Sequence, residues 1–416
     1  MRDHPGILAR SIRAVAILAC LAGTVGCSRA EPPHATPAKK PATYSKEPEQ
    51  ADDTALFAAN PAAINAMARE GKDGWAPGRL LAVTRSPSDR VAIPLAPDCA
   101  LNAWREEAKV RVGVGSLERA DLSADGRLLL VRSPSDGMVR IYDALSLGKV
   151  AEWRLPEHRE LDRSDVAFWA VETSPATVVY GCEKGLFLLD AMTGETRRVL
   201  DDRPVSNLAW SPDRRVLVTA RHDFATQSSV LSFIPVAEMV EKNRWDVAAR
   251  TVDLPFGQRT DGFDLSDDGT LLAVSLYPGN TLALFDLATM KMRWSVPAPE
   301  FSGSVDLSPD GRFAAVGGAW LLLVSADHPE VRAELRGFDN NIHRVRFIPG
   351  CAALAASSYD GRIRIAAVQE PGLGLKLVKT LRHQGHANVY DLVFTPDGRT
   401  FFSTSGDKTV RRFVRP

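Results

Sequence analysis

The residues able to do chemistry in this 416-residue chain are few and scattered. His383 and His386 lie close enough to share a metal ion, but no carboxylate or cysteine beside them completes a ligand set. Asp165, Asp261 and His343 are the side chains best suited to hold a divalent ion for metal-assisted hydrolysis, and they are far apart in sequence. Asp223, after His222, falls where other segments carry a turn aspartate, which gives it a structural role. There is no HExxH pair, no nucleophile elbow and no phosphate-cradling loop, and VGVGS and PGLGLK do not fit a dinucleotide fingerprint. No cofactor is implied. With 51 basic and 51 acidic residues the formal net charge is zero, so nucleic acid and acidic membrane surfaces have no electrostatic claim.

Any site must therefore be assembled by the fold, and the fold announces itself in a repeat. An Asp-Gly dipeptide, usually preceded by Ser and two apolar positions, recurs every ~45 residues, the period of a propeller blade. The clear copies are DLSADGRLLLV from Asp121, DLSDDGTLLAV from Asp264, DLSPDGRFAAV from Asp306 and LVFTPDGRTFF from Leu392. AWSPDRRVLV from Ala209, RFIPGCAALA from Arg346 and ETSPATVVYG from Glu172 are weaker copies. Asp-Gly between two apolar runs makes each unit start as a β-hairpin, its turn accommodated by positive φ. A second turn follows, as at Ser133 to Gly137 or Ser358 to Gly361, then a third strand such as MVRIYD or TLALFD and a more polar fourth such as KVAEWRL. Such a unit cannot bury both faces alone and must stack on its neighbours.

The expectation is an all-β propeller of four-stranded antiparallel blades, seven of them between Leu117 and Pro416. The last blade has only three strands of its own, and the simplest donor of the fourth is the N-terminal part, for instance KVRVGVG from Lys109. GRLLAVTRSPSDRVAI from Gly78 nearly repeats GRLLLVRSPSDGMVRI from Gly126 and leaves an eighth blade open as the alternative. The helical character of PAAINAMARE from Pro61 counts against it.

Residues 1–27 read as an export signal: a basic start, the short apolar run AVAILACLAGTVG from Ala14, then small residues. Thr24-Val25-Gly26-Cys27 resembles the lipobox of bacterial lipoproteins, which implies lipidation of Cys27 and anchoring to a cell membrane, periplasmic or surface-facing. Residues 28–60, rich in Pro, Ala, Lys and Glu, read as a disordered tether. Residues 61–116 form an N-terminal extension with a partial blade and the ring-closing strand, and 117–416 the blades. Of the remaining cysteines, Cys182 and Cys351 fall on second strands and are expected as buried thiols, leaving disulfides no major stabilising part; whether these two and Cys99 include one stays open.

The last unit, LRHQGHANVYDLVFTPDGRTFFSTSGDKTVRRF from Leu381, closely resembles a WD repeat. It shows Gly385-His386, the apolar Val389, Leu392 and Phe394, the Pro396-Asp397-Gly398 turn, Ser403, Ser405 and the turn aspartate Asp407. The resemblance implies a hydrogen-bonded network of His386, Ser403 and Asp407, with Phe413 in the slot of the usual Trp, and Asp360 in the equivalent place one unit earlier. It further implies a non-catalytic platform for an unidentified protein or peptide, carried by a monomeric propeller. The family's usual meeting place is the face formed by the loops leading into the innermost strands. Here those positions hold Arg119, Asp165, Arg259, Asp261, Phe301, Asn341, His343, Asn388 and Tyr390, a mixture of both charge signs, aromatics and polar groups that suits a protein better than a polyanion. The alternative function is a propeller hydrolase of the lactonase kind, with Asp165, Asp261 and His343 around a metal at the channel mouth.

Overall fold

The computed structural model describes residues 99–416 apart from positions 114, 124, 156–164, 172–173, 183–184, 192, 202–204, 206, 212–215, 224–227, 236–249, 255–258, 278 and 384–386. The proposed signal, tether, Cys27 and the possible eighth-blade segment lie outside the described residues. A one-turn 3-10 helix, Leu101–Ala103, leads into β1 (Arg105–Arg111). Blade 1 then comprises β2 (Arg119–Leu122), β3 (Leu128–Ser133), β4 (Met138–Asp143) and β5 (Lys149–Arg154). Blade 2 is β6 (Asp165–Val171), β7 (Ser174–Cys182), β8 (Gly185–Asp190) and β9 (Thr196–Asp201). Blade 3 is β10 (Asn207–Trp210), β11 (Leu217–Asp223), β12 (Ser228–Ile234) and β13 (Arg250–Leu254). Blade 4 is β14 (Arg259–Leu265), β15 (Leu271–Tyr277), β16 (Thr281–Asp286) and β17 (Lys291–Pro297). Blade 5 is β18 (Ser304–Leu307), β19 (Phe313–Gly317), β20 (Leu321–Ser325) and β21 (Arg332–Leu335). Blade 6 is β22 (Ile342–Phe347), β23 (Ala353–Ser358), β24 (Arg362–Gln369) and β25 (Gly374–Arg382). Blade 7 takes β26 (Val389–Phe394), β27 (Thr400–Ser405) and β28 (Thr409–Val414), and β1 completes it by pairing antiparallel with β28.

Among the described residues seven blades are thus present, and an N-terminal strand closes the ring as the short last unit requires. That strand starts at Arg105, four residues before the run suggested by its alternation. The innermost strands touch in sequence from β2 round to β26, and β26 touches β2. Apolar clusters lie between successive blades: Leu284, Trp294 and Val316 between blades 4 and 5, for example, and Trp104, Ile365, Phe401 and Phe413 between blades 6 and 7. Each buried aromatic is worth about 1.5–3 kcal/mol, so the stacking of blades carries the stability. Trp153 and Trp294 add a directional tie, their indole N–H groups donating to Ala191 O (2.8 Å) and Ala326 O (2.7 Å) in the next blade.

The repeated turn works differently from a simple Asp-Gly hairpin. Only the glycine is left-handed, with φ of 69° at Gly126, 66° at Gly269, 69° at Gly311 and 63° at Gly398. The preceding serine and aspartate are used as hydrogen-bonding groups: Ser308 Oγ donates to Asp310 Oδ1 (2.6 Å), accepts Phe313 N–H (2.9 Å), and Asp310 accepts Arg312 N–H (3.1 Å). Ser123, Ser266 and Thr395 repeat the arrangement. This is why the dipeptide travels with a hydroxyl residue two positions before its aspartate.

Cys351 is not a free thiol. It forms a disulfide with Cys99, 252 residues away, while Cys182 is buried and unbridged as expected. The bridge ties the segment ahead of β1 to blade 6. Arg415 reinforces it from the C-terminus, donating to Cys99 O and Gly398 O and lying 3.0 Å from Cys351 Sγ.

Candidate functional site

The innermost strands start at one end of a central channel, its mouth, and run down its wall. Around the mouth the structure gathers four of the sequence-derived face residues from blades 6 and 7. His343 on β22 donates from Nδ1 to the carbonyl of Tyr390 on β26, and the two rings meet edge to face at 5.4 Å. Tyr359, in the turn between β23 and β24, closes the cluster at 5.1 Å from His343 and 5.6 Å from Tyr390. Asn388 Nδ2 donates to Tyr390 Oη (3.3 Å), and the backbone carbonyls of Asn341 and Asn388 are held by Tyr359 N–H (3.0 Å) and Gly406 N–H (2.9 Å). Burial, then the charges of Arg119 and Arg344, push the His343 imidazole down to about 3. It therefore stands neutral as a packing and positioning group. Tyr359 is pushed up to about 12 by burial and by Tyr390, so its hydroxyl keeps its proton.

Phe301 precedes β18 on the same rim and is 61% exposed with φ of 59°, a left-handed conformation unfavourable for an aromatic residue. Its neighbours hold it there: Glu300 O accepts Ala319 N–H (2.8 Å) and Ser302 O accepts the buried Ser275 hydroxyl (2.6 Å). A large apolar ring is thus fixed in solvent on a rigid loop. Asp165, Arg259 and Asp261 take backbone positions on β6 and β14, and their side chains lie outside the described set.

Below the mouth the channel encloses about 700 Å³. The repeat places equivalent residues in two rings: Arg119, Asn207, Ser304, Arg344 and Asp391 above, and Asp121, Ala209, Asp264, Asp306, Arg346 and Val393 below. Three aspartates of the innermost strands prove to be clasps between blades. Asp264 accepts Leu307 N–H (2.8 Å) of blade 5, Asp306 accepts Phe347 N–H (2.6 Å) of blade 6, and Asp391 accepts Ala120 N–H (3.1 Å) across the ring closure. Arg344 and Arg346 pair with Asp391 and Asp306, each at 2.7 Å. Burial raises Asp391, yet Arg344, Arg119 and Arg346 outweigh it and hold the carboxyl below its usual range. Asp306 is raised by burial that Arg346 offsets only in part. Asp264, buried and facing the charge of Asp306, is pushed up to about 8.

Among the described residues His383 supplies a histidine to the blade-7 network. His383 Nε2 is 2.8 Å from Ser403 Oγ and its Nδ1 is 3.5 Å from Asp407, while His386 lies outside the described residues. Asp407 also accepts from Thr409 N–H (3.0 Å) and Arg411 (2.7 Å), and Asp360 pairs with Arg364 (2.8 Å) in blade 6. Phe413 stacks on Phe401 at 4.7 Å and sits 6.4 Å from His383, filling the indole's place with apolar contact. Residues 375–413, which contain this blade's inner strands, match the family model for the WD domain, G-beta repeat. The fold and that match together support a WD-repeat β-propeller. The chain is also similar to two curated proteins: Echinoderm microtubule-associated protein-like 3 of Homo sapiens is 30% identical over 133 residues, 31% of this chain and 14% of that protein. WD repeat-containing protein SL1-17 of Schistosoma mansoni is 28% identical over 156 residues, 36% of this chain and 48% of that protein. The chain thus covers less than half the length of either relative.

Sequence reasoning missed Tyr359, Arg344, Arg346 and the clasp aspartates. Tyr359 stands inside a turn motif and was assigned only to the turn. Two of the clasps had a signal: Asp264 and Asp306 recur in phase, five residues before their turn glycines.

Proposed function

We propose that this protein is a non-catalytic, exported scaffold, anchored to a bacterial cell membrane through a lipid on Cys27 and binding a protein or peptide at the propeller mouth as a monomer. The observation that carries the binding reading is the mouth itself: Phe301 held in solvent by flanking hydrogen bonds, on the same rim as the packed cluster of His343, Tyr359 and Tyr390. Rigid, exposed aromatics flanked by polar groups make effective anchors for a partner, because little conformational freedom is lost on binding. The similarity to WD-repeat proteins supports an interaction role. Export is supported by the Cys99–Cys351 disulfide, since such bonds persist in oxidising compartments.

A photo-crosslinking residue at Phe301 in intact cells tests the binding reading. A discrete cross-linked partner, lost when Tyr390→Ala is added, is the expected result; no specific adduct at any of Phe301, Asn341 or Asn388 would sink it. Cys27→Ala should move the protein from the membrane to the soluble fraction, and unchanged fractionation would remove the lipid anchor from the proposal.

A further inference from the structure

We propose that the Cys99–Cys351 bridge is a thiol-exchangeable latch on the ring, in which Cys351 leaves as a thiolate held by Arg415 and Cys99 takes a proton. The surroundings of the two sulfurs differ in the way this requires. Cys351 Sγ lies 3.0 Å from Nη2 of Arg415, whereas Cys99 Sγ lies 3.6 Å from the carbonyl oxygen of Gly350. A guanidinium favours a thiolate, and a carbonyl oxygen favours a protonated thiol that can donate to it. The partners of the reduced pair thus already stand beside the intact bond. Other contacts hold the guanidinium there: Nε donates to Gly398 O (2.9 Å), Nη1 donates to Cys99 O, and the group lies over the Trp104 ring at 5.5 Å. Its hydrogen bonds go to carbonyl oxygens and sulfur, and among the described residues none goes to a carboxylate. Burial, then the charge of Arg399, weaken its hold on its proton, and Asp397 offsets them only in part. Opening the bridge would set an anionic sulfur against that cation.

The step is a two-electron exchange with a dithiol reductant. One reductant sulfur, as its thiolate, attacks Cys99 Sγ; a mixed disulfide forms, the Cys99–Cys351 bond breaks, and its electron pair leaves on Cys351. The second reductant sulfur, again as thiolate, then displaces Cys99 and closes the oxidised dithiol. The dithiol gives up two electrons and two protons, one proton going to Cys99 and the other to solvent. Attack at Cys99 is the direction that access favours, since Cys99 keeps some exposure and Cys351 keeps none. A leaving sulfur of lowered pKa speeds the exchange and stabilises the reduced form. Cys182 is buried in the core between blades 1 and 2 and takes no part. Opening the latch frees the segment ahead of β1 from blade 6. Blade 7 is then closed by the β1–β28 pairing and the Arg411–Glu106 and Arg412–Glu107 pairs. The thiol content of the surroundings thereby sets how firmly the ring is shut. The inference depends neither on a partner at the mouth nor on the lipid anchor.

Dithiothreitol at millimolar concentration, applied to the full folded chain without denaturant, tests the idea, with the freed thiols alkylated after acid quenching and mapped by mass spectrometry. The expected result is release of Cys99 and Cys351 together at a rate proportional to the reductant, while Cys182 stays as it was. Arg415→Met removes the charge and should slow the release at least about fivefold, whereas Arg415→Lys keeps the charge and should recover most of the rate. An arginine that only packed against the bridge would give the opposite sign, because its loss would uncover the sulfurs. In Cys99→Ser the lone Cys351 should ionise below the value of about 8.5 for a free cysteine. That is read as the ultraviolet thiolate absorbance lost when Cys351→Ser is added. Release only after urea unfolds the chain, or a rate in Arg415→Met equal to or above that of the wild type, would overturn the proposal. Should Arg415→Met fail to fold, ionisation of Cys351 at or above about 8.5 in Cys99→Ser overturns it alone.

Discussion

Replacing Cys99 and Cys351 together by serine removes the covalent tie between the segment ahead of β1 and blade 6, and leaves neither partner of the bridge as a lone thiol. The bridge closes a loop of 252 residues, and in the chain-entropy account a crosslink of that span restricts the unfolded chain by roughly 5 kcal/mol. Two features of this fold reduce the figure. β1 still pairs with β28 over Arg105 to Arg111, and Arg411–Glu106 and Arg412–Glu107, both at 2.9 Å, still pin it. The unfolded chain also keeps some compactness of its own. An expected loss of about 2–4 kcal/mol follows, read as a lower urea midpoint with a steeper slope, because the uncrosslinked chain exposes more surface on unfolding. Wild-type protein unfolded in the presence of a thiol reductant should behave like the double variant. A loss below about 1 kcal/mol, or no response of the wild type to reductant, would refute the claim that the bridge restrains ring opening.

Asp306→Ala leaves the half-buried Arg346 guanidinium without its ion-pair partner and Phe347 N–H without its acceptor, and should cost about 1–3 kcal/mol by urea unfolding, whereas Asp306→Asn keeps the N–H acceptor and should cost less. The carboxyl of Asp264, raised to about 8 and faced by Asp306 and Arg346, gives the folded chain more bound protons than the unfolded chain between about pH 4 and 8. Its contribution is therefore present at low pH and lost as pH rises through that window; Asp264→Asn should flatten the fall, and an unchanged pH profile of the urea midpoint would count against it. Gly398→Ala places a Cβ 2.1 Å from Pro349 O at a φ of 63°, so it should lower stability by more than about 1 kcal/mol, while Gly350→Ala, equally left-handed but with open space around it, should lower it less.

The blade period, the turns and the closing strand were legible because they rest on local chemistry that repeats. A hydroxyl residue, Asp and Gly appear together at four of the inner hairpins, so the imperfect copies could be put in phase with them. The bounds of β1 were less legible: REEAKVR is an outer strand, mostly exposed, and carries little apolar alternation. The disulfide was illegible because nothing near Cys351 marks a partner 252 residues away, and its apolar surroundings look the same with a thiol or a bridge. At the mouth, Asn341, His343, Asn388 and Tyr390 could be placed together because all precede or start an innermost strand. Arg344 and Arg346 were missed because an alternating charged strand reads as half solvated, whereas here the polar side faces the channel and is paired within it.

The uneven distribution of the WD signature has a physical reason in how the ring closes. Blades 1 to 6 are made of strands that follow one another in sequence, and each hairpin costs little loop entropy. Blade 7 must capture β1 from the far end of the chain, and it is where polar ties are concentrated. Asp407 fixes the turn and Arg411, Arg411 reaches across to Glu106 on β1, and His383 joins the loop ahead of β26 to Ser403. The strand-opening aspartates show the complementary pattern. Asp264 and Asp306 clasp the next blade, but the same position holds Ala209 in blade 3, Arg346 in blade 6 and Val393 in blade 7. A position free to vary among acid, base and methyl groups is set by what the channel presents, since the interblade cores persist whichever residue stands there. The closing blade therefore carries most of the residues that resemble a WD repeat, and the channel wall is where this chain departs from its own repeat.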